Sequence, residues 1–439
     1  MTAAPAPPIS AAGLAKSPPI DLPMRHFVSA AVAFWIFAAA LAGGTGRFFG
    51  FDFQAKWVLG LVHIMTLGWI TMTMFGAIIQ LSAVLWETPV AWPGAVRGAW
   101  WAFTLGLIGF VAELWSGGSR YWIPAALLFG AVVVYLACFV RTMAAAPRLD
   151  WTARHLAVSV SCLAAVVTLG FLMAWDRDRG VLFRDTTGAL IAHVHLALVG
   201  WVTLTVVGVS YRLVSMFALS HIESKTPGRL ALALACAGLG GLALDGLFFG
   251  RRLMPLWAGL LAGAYLSYAW QMRAIFSARH RRIDPALAYT LLALVGGALW
   301  TVLGVLLACG MLPEESHVFA AYIYACLIGW ATPFILGQIH KIVPFLVWLH
   351  IFGRRPWSAE KPPPKMTDLA SERLAWAEFF AVAPAVLLGV AGFLAESRLV
   401  LEAGSLFLLA GATLYVSNTA FTLSFLVREG GWTGTSSRS

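Results

Sequence analysis

The chain has 439 residues, of which 60% are hydrophobic and only 11% are charged, and its mean hydropathy is +0.80. This composition excludes an ordinary soluble domain and indicates a protein that lies within a membrane. The formal net charge of +10 requires no nucleic-acid partner, because the basic residues lie mostly in the connections between apolar segments.

Twelve apolar segments follow one another, and each is about as long as a membrane helix of roughly 20 residues. We therefore predict an all-α integral membrane protein with about twelve transmembrane helices. The membrane domain is predicted at residues 25–427, between a disordered cytoplasmic tail at 1–24 and a second cytoplasmic tail at 428–439. The segments fall roughly at residues 27–43, 57–85, 98–115, 121–141, 154–175, 187–219, 229–249, 253–276, 286–309, 317–350, 374–394 and 401–427.

One short pattern occurs three times in the chain. It consists of a ring-bearing residue, four residues, Gly-Trp, six residues and Gly, and it begins at His63, His195 and Tyr324. The spacings are 195 − 63 = 132 and 324 − 195 = 129 residues. A period of this length suits a bundle made from three copies of one helical unit. We predict three pseudo-symmetric four-helix repeats at about 25–148, 149–280 and 281–427.

The distribution of basic residues predicts the orientation in the membrane. If the N-terminus is cytoplasmic, the tails and the even-numbered connections hold 21 of the 30 Lys and Arg residues, and the opposite side holds 9. Because basic residues favour the cytoplasmic side, this asymmetry predicts a multi-pass membrane protein with both termini in the cytoplasm. The lipid bilayer is its first expected partner. The five cysteines have no paired spacing that would indicate a disulfide or a zinc site.

Three histidines lie inside apolar segments and carry the functional signal. His63 lies in the second segment, and His193 and His195 lie in the sixth, at a similar predicted depth toward the outer surface. An ionisable side chain within a membrane segment is costly and therefore indicates a function. His193 and His195 point about 200° apart on an α-helix, so they face two neighbouring clefts. Neutral imidazole is a common ligand of haem iron and of other metal ions.

Cationic side chains for haem propionates are available in the predicted outer loops. We predict that His63, His193 and His195 bind haem or a metal ion and that Arg47, Arg251 and Arg252 support the cofactor. The alternative is that each histidine only forms a hydrogen bond to a neighbouring helix. A second alternative concerns the function. The chain is then a cofactor-free transporter, which uses the histidines for protons or metal ions, or an assembly scaffold.

The segment His193-Val194-His195-Leu196-Ala197-Leu198-Val199-Gly200-Trp201, followed by Arg212-Leu213-Val214, resembles the His-x-His haem-ligand helix of the haem-copper oxidase subunit I superfamily. The residue pattern of this segment is most similar to that of the cbb-type branch. The resemblance implies a twelve-helix bundle with threefold pseudo-symmetry. It also implies that the first histidine of the motif binds a high-spin haem and the second a low-spin haem. The pair Arg251-Arg252 is similar to the arginines that hold haem propionates in that family.

The chain departs from this family at the copper centre. The family has the His-x-His motif in the third group of four helices, whereas this chain has it in the second, and no adjacent His-His pair occurs in the sequence. The cross-linked tyrosine near the copper has no clear counterpart. Copper is therefore not expected. The resemblance implies a b-type haem protein that transfers electrons or binds a gas ligand without reducing oxygen fully, and it leaves enzymatic turnover open.

These considerations give a specific ligand hypothesis. His63 and His195 are expected to be the principal haem ligands, in a cleft shared by the first two repeats. His193 is expected to face another cleft and to hold a second haem if one is present. Other respiratory or cytochrome subunits are the partners that the resemblance implies.

Overall fold

The computed structural model describes residues 16–50, 52–86, 88–146, 150–221, 226–353 and 363–429, and every regular element within these ranges is a helix. This confirms the predicted all-α class. Most of the predicted tail at 1–24 and of the tail at 428–439 lies outside the described residues. The first helix begins at Asp21, four residues inside the segment predicted to be the N-terminal tail.

Twelve long helices occupy the described residues. They are α1 Asp21–Gly44, α2 Lys56–Ala83, α3 Pro93–Trp115, α4 Trp122–Ala144, α5 Trp151–Asp176, α6 Thr186–Ala218, α7 Thr226–Phe249, α8 Met254–Ser277, α9 Pro285–Ala308, α10 Ser316–Ile351, α11 Glu372–Leu394 and α12 Arg398–Arg428. Eleven of these helices are long and apolar enough to cross a bilayer, and α8 has a sufficient length but a less apolar composition. Large hydrophobic side chains such as Ile108 and Trp270 are exposed on the outer surface, which suits contact with lipid.

The connections between helices meet at two faces of the bundle. At one face, Arg177 after α5 donates to the backbone carbonyl of Gln54 before α2, and we call this the loop face. At the other face, Arg97 at the start of α3 pairs with Asp21 at the start of α1. We call this the terminal face, because α1 begins there and α12 ends there. The sequence predicts that the terminal face is cytoplasmic.

The helices α2, α6 and α10 are joined by a ring of hydrogen bonds. In each of them, the indole N–H of the Gly-Trp tryptophan donates to a threonine hydroxyl on another of the three helices. Each accepting threonine stands two residues after the tryptophan of its own helix. The bonds are Trp69 Nε1 to Thr332 Oγ1 at 3.1 Å, Trp201 Nε1 to Thr71 Oγ1 at 3.1 Å and Trp330 Nε1 to Thr203 Oγ1 at 3.0 Å. The ring relates these three central helices cyclically, and the symmetry of the complete four-helix repeats stays a prediction.

Each central helix widens into π-helical winding directly after the ring-bearing residue of the repeated pattern. Such winding is rare and is frequently found at functional sites. In α10 the hydroxyl of Thr332 donates to the carbonyl of Leu327, five residues earlier, at 2.7 Å. The same hydroxyl therefore bonds within its own helix and accepts the bond from another helix. The π-helical segments are Ile64–Thr71, Leu196–Thr203 and Ala325–Ala331.

The glycine of each Gly-Trp pair lets a central helix approach the helix that precedes it in the chain. A methyl group added at Gly68 would lie 2.7 Å from Cβ of Ala33 on α1, and one added at Gly200 would lie 2.6 Å from Cβ of Cys162 on α5. Both distances are too short for two carbon atoms. Close contact between small residues is the usual way in which membrane helices associate, because lipid gives them little hydrophobic drive to do so.

Replacement of Thr332 by Val should remove the acceptor for the Trp69 indole while nearly keeping the shape of the side chain. Interhelical hydrogen bonds in membranes contribute about 0.6 kcal/mol on average and at most about 1.7 kcal/mol. A buried donor without a partner adds to that cost, so we expect the free energy of unfolding to fall by roughly 1 kcal/mol. Unfolding by SDS in mixed micelles measures this change.

The matched control is Thr168→Val, because the exposed hydroxyl of Thr168 bonds only to the Ala164 carbonyl of its own helix. We expect this variant to unfold as the original protein does. Equal losses in the two variants would show that the ring contributes nothing beyond an ordinary threonine.

Candidate functional site

A cavity of about 920 Å³ lies among the helices from α2 to α10. Pockets for small molecules and cofactors commonly have volumes of about 300–1,000 Å³, so this cavity can hold a large ligand. Its lining is mostly apolar and comes from helices of all three predicted repeats. The polar residues of its lining include His63, Thr66, His193, His195, Arg251, Glu314, Tyr322 and Tyr324.

His63 presents one free nitrogen to this cavity. Its Nδ1 lies 2.7 Å from the carbonyl oxygen of Leu59, to which it donates a proton, and its ring packs edge-on against Phe110 of α3 at 5.1 Å. The hydrogen bond places the proton on Nδ1 and leaves the Nε2 lone pair available. A histidine that is fixed in this way has the usual arrangement of a metal ligand.

His193 lies in the same cleft, between α2 and α6. Its ring packs against Gly170 of α5, where an added Cβ would lie 2.8 Å from the ring carbon Cε1. Its Nδ1 is buried against α5, where the backbone of Val166 is its nearest hydrogen-bonding group. The rings of His63 and His193 are close enough to interact electrostatically. Two imidazoles on neighbouring central helices therefore share one cleft.

His195 faces the next cleft, between α6 and α10. Its Nδ1 donates to the carbonyl of Ile191, four residues earlier, at 2.8 Å. His63 makes the same kind of bond to the carbonyl of Leu59. Its Nε2 accepts a hydrogen bond at 3.0 Å from the hydroxyl of Tyr322 on α10. This cleft therefore pairs an imidazole with a phenol, and the second ring nitrogen of His195 is already engaged.

The ring-bearing residue of α10, Tyr324, packs against α11. The hydroxyl of Tyr324 donates at 3.0 Å to the carbonyl of Ala385 on α11, and the Tyr324 ring is buried. A methyl group at Gly389 of α11 would overlap that ring. The histidine position of the repeated pattern thus holds a structural tyrosine here.

One rule describes what the central helices bring to the clefts. The ring-bearing residue of α2 or of α6 faces the next central helix. The residue that it meets there stands two positions before that helix's own ring-bearing residue. The two corresponding pairs are His63 with His193, and His195 with Tyr322. The bond to Tyr322 turns His195 toward α10, although His63 and His195 line the same cavity. Equivalent positions on three helices arranged in a ring are turned by a third of a circle and open onto successive clefts.

The three predicted arginines have different positions. Arg251 lines the cavity, its Nε atom is buried without a partner, and its Nη1 atom lies 3.9 Å from the Glu314 carboxylate. Arg47 is exposed, with its guanidinium 5.3 Å from the centre of the Trp57 ring. Arg252 is exposed as well. Neither Arg47 nor Arg252 belongs to the lining of the cavity, so the structure brings one of the three arginines to the histidines' cavity.

Two residues of this site were not identified from the sequence. Tyr322 stands two residues before Tyr324, and the same offset separates His193 from His195, so the repeated pattern contained the signal. Gly170 lies on α5, and its role depends on how closely α5 approaches α6. No pattern within α5 reveals that contact.

Comparison of the sequence with protein-family models and with curated proteins finds no match. The resemblance to oxidase subunit I therefore rests on the residues of the His-x-His segment and on the pattern of helices. The geometry of the clefts has to carry the functional argument.

Replacement of Gly389 by Ala should destabilise the protein, because the added methyl group has to displace the Tyr324 ring. Overpacking of a filled core typically costs about 1–3 kcal/mol. SDS-induced unfolding measures the loss. Gly240→Ala is the same substitution in α7 at an exposed position where no atom lies within 4 Å, and it should be neutral or stabilising. A neutral effect of both variants would show that there is free space beside the Tyr324 ring.

Proposed function

We propose that this chain is a haem-binding membrane protein related to cytochrome oxidase subunit I, and that His63 and His193 hold a b-type haem between α2 and α6. The observation that carries the proposal is the presence of these two imidazoles, on neighbouring central helices, in the lining of one mostly apolar cavity. Neutral imidazole is the most common side-chain ligand of metals in proteins and a usual ligand of haem iron.

The residues of the cleft fit this group in three respects. The Leu59 carbonyl holds His63 in the tautomer that leaves Nε2 free. His193 lines the same cavity, and no other side chain of the described residues holds its ring by a hydrogen bond that would have to be broken. Arg251 brings a guanidinium with an unpartnered Nε atom to the cavity, and a guanidinium suits a carboxylate such as a propionate.

The histidine pair favours electron transfer over the binding of a gas ligand. A bound haem would supply a one-electron redox centre in the membrane interior. If His63 and His193 both held the group, they would take up the positions that an outside ligand needs. The apolar walls of the cavity keep water away, and the fixed Nδ1–H of His63 holds its ring in place. The Tyr322 hydroxyl holds the corresponding nitrogen of His195, so His195 is not part of the first ligand pair.

The proposal includes a setting that the resemblance supplies. The chain would lie in a bacterial inner membrane with both termini in the cytoplasm, and it would exchange electrons with other respiratory or cytochrome subunits. The absence of an adjacent His-His pair from the sequence supports a function other than the complete reduction of oxygen to water.

Absorption spectra of the protein purified after expression with ample haem test the ligand assignment. The original chain should show the Soret band and the reduced α-band of a low-spin b-type haem. His63→Ala and His193→Ala should each abolish this signal or convert it to a high-spin form, because each removes one axial ligand.

Two further variants serve as controls for that experiment. His195→Ala should keep the low-spin spectrum, since the Tyr322 hydroxyl holds its Nε2, and so should His221→Ala at an exposed position. Loss of the band in His195→Ala together with an unchanged spectrum in His193→Ala would restore the pairing of His63 with His195. A spectrum without haem from the original chain would exclude the proposal.

The alternative function is a transporter or an assembly scaffold that has no cofactor. The hydrogen bond between Tyr322 and His195 favours it to a degree, because a histidine satisfied by a neighbouring helix needs no metal. A haem-free purified protein whose His63→Ala variant folds normally would support this second class.

Oxygen turnover provides a separate measurement. We expect the haem-loaded protein to consume no oxygen when it is supplied with reduced cytochrome c or quinol, because the family uses a copper ion and a redox tyrosine for that reaction. Oxygen uptake that is sensitive to cyanide and is abolished by His193→Ala would show that this expectation is wrong.

A further inference from the structure

A second group of polar residues is buried near the terminal face, away from the cavity described above. The side chain of Glu378 on α11 is 0% exposed. The Tyr289 hydroxyl on α9 donates to Glu378 Oε1 at 3.0 Å. His340 on α10 places Nε2 at 3.2 Å from Oε1 and at 3.1 Å from Oε2. Three helices therefore bring a carboxyl, an imidazole and a phenol into direct contact.

The charge of this cluster has to be balanced by a proton. An isolated carboxylate in an apolar interior is very costly, and an ionisable residue within a membrane helix normally marks an ion or proton site. The nearest lysine, Lys341, is engaged by Asp284 at 2.6 Å, and Asp284 also lies 3.8 Å from Arg281. Tyr289 and His340, which contact Glu378, bring no fixed positive charge. A proton is the counter-charge that these contacts can accommodate.

The other groups around the cluster carry no formal charge. Tyr415 of α12 faces the His340 ring edge-on at a centroid distance of 6.4 Å, and the Tyr289 ring stacks on the opposite side at 6.0 Å. Toward the middle of the membrane the next rings are Trp69 and Phe34, which stack on each other at 4.7 Å. Aromatic rings therefore pack on the inner side of the cluster, beside the hydrogen-bonded pair of Gln338 and Thr290.

A small crevice with polar groups in its lining lies on the side of the cluster that is nearer the terminal face. Its volume of about 10 Å³ is close to the room that one water molecule needs. Its lining includes His340, Asn418, Thr419 and Thr422. The Asn418 side chain bonds to the backbone N–H and C=O of Ser371 and so fixes the start of α11 beside the crevice. Because Nε2 of His340 faces Glu378, Nδ1 is the nitrogen left to receive a proton from the crevice.

We propose that Glu378, His340 and Tyr289 form a proton-binding site that exchanges protons with the terminal face through His340. A proton from water in the crevice binds Nδ1 of His340, and the proton on Nε2 passes to a carboxylate oxygen of Glu378. The result is a neutral imidazole and a neutral carboxylic acid, with one proton stored. Release follows the same steps in reverse. This function goes beyond the proposed haem site and does not depend on it.

Infrared difference spectroscopy tests the site in the purified full-length protein. Spectra recorded between high and low pH should contain a carboxylic acid C=O band that shifts in D₂O. Glu378→Gln should remove this band. Glu372→Gln, the same substitution at an exposed position in the first turn of α11, should leave it unchanged. Absence of the band from the original chain, or its persistence in Glu378→Gln, would overturn the proposal.

Two further variants keep the carboxyl group in place and test its partners. His340→Asn should slow the exchange of the Glu378 proton for deuterium several-fold, because it removes the group that relays the proton. Tyr289→Phe should shift the frequency of the Glu378 band, because it removes the hydrogen bond to Oε1. An unchanged exchange rate in His340→Asn would overturn the relay even if Glu378→Gln does not fold.

Discussion

Three hydrogen bonds from buried indoles to threonine hydroxyls determine how α2, α6 and α10 are rotated against one another. Each helix must present its tryptophan to one neighbour and its threonine to the other, so its rotation about its own axis has little freedom. This rotation then decides which side chains meet in each cleft. The sequence differences at only two positions per helix give the clefts unequal chemistry: two imidazoles between α2 and α6, and an imidazole with a phenol between α6 and α10.

The bundle separates its buried polar groups into two regions. The histidines of the cavity lie in the half of the central helices that is near the loop face, and the cluster around Glu378 lies near the terminal face. Between them, Trp69 stacks on Phe34 and meets Tyr415 edge-on at 5.4 Å. The same tryptophan that donates to the ring of hydrogen bonds therefore also packs between the two regions.

The sequence was sufficient to predict the helices, because the length of an apolar segment is a local property. It also identified His63, His193 and His195 as one group, because the repeated pattern places them at a similar depth. The cleft that each histidine faces could not be predicted, since equal depth says nothing about rotation around a ring of helices. The site at Glu378 was beyond prediction, because its partners lie 38 and 89 residues away on two other helices and no local pattern connects them.

The ring of hydrogen bonds also imposes an order on biosynthesis. The bond from Trp201 to Thr71 spans 130 residues, whereas the bond from Trp69 to Thr332 spans 263. At ribosomal rates of about 5–20 residues per second, Trp69 waits on the order of 10 to 50 seconds for its acceptor. During that interval the first two central helices have an open side toward lipid or toward an insertion factor. A nascent chain that stops before α10 would keep this open side permanently, and quality-control proteases would have an unpaired surface to recognise.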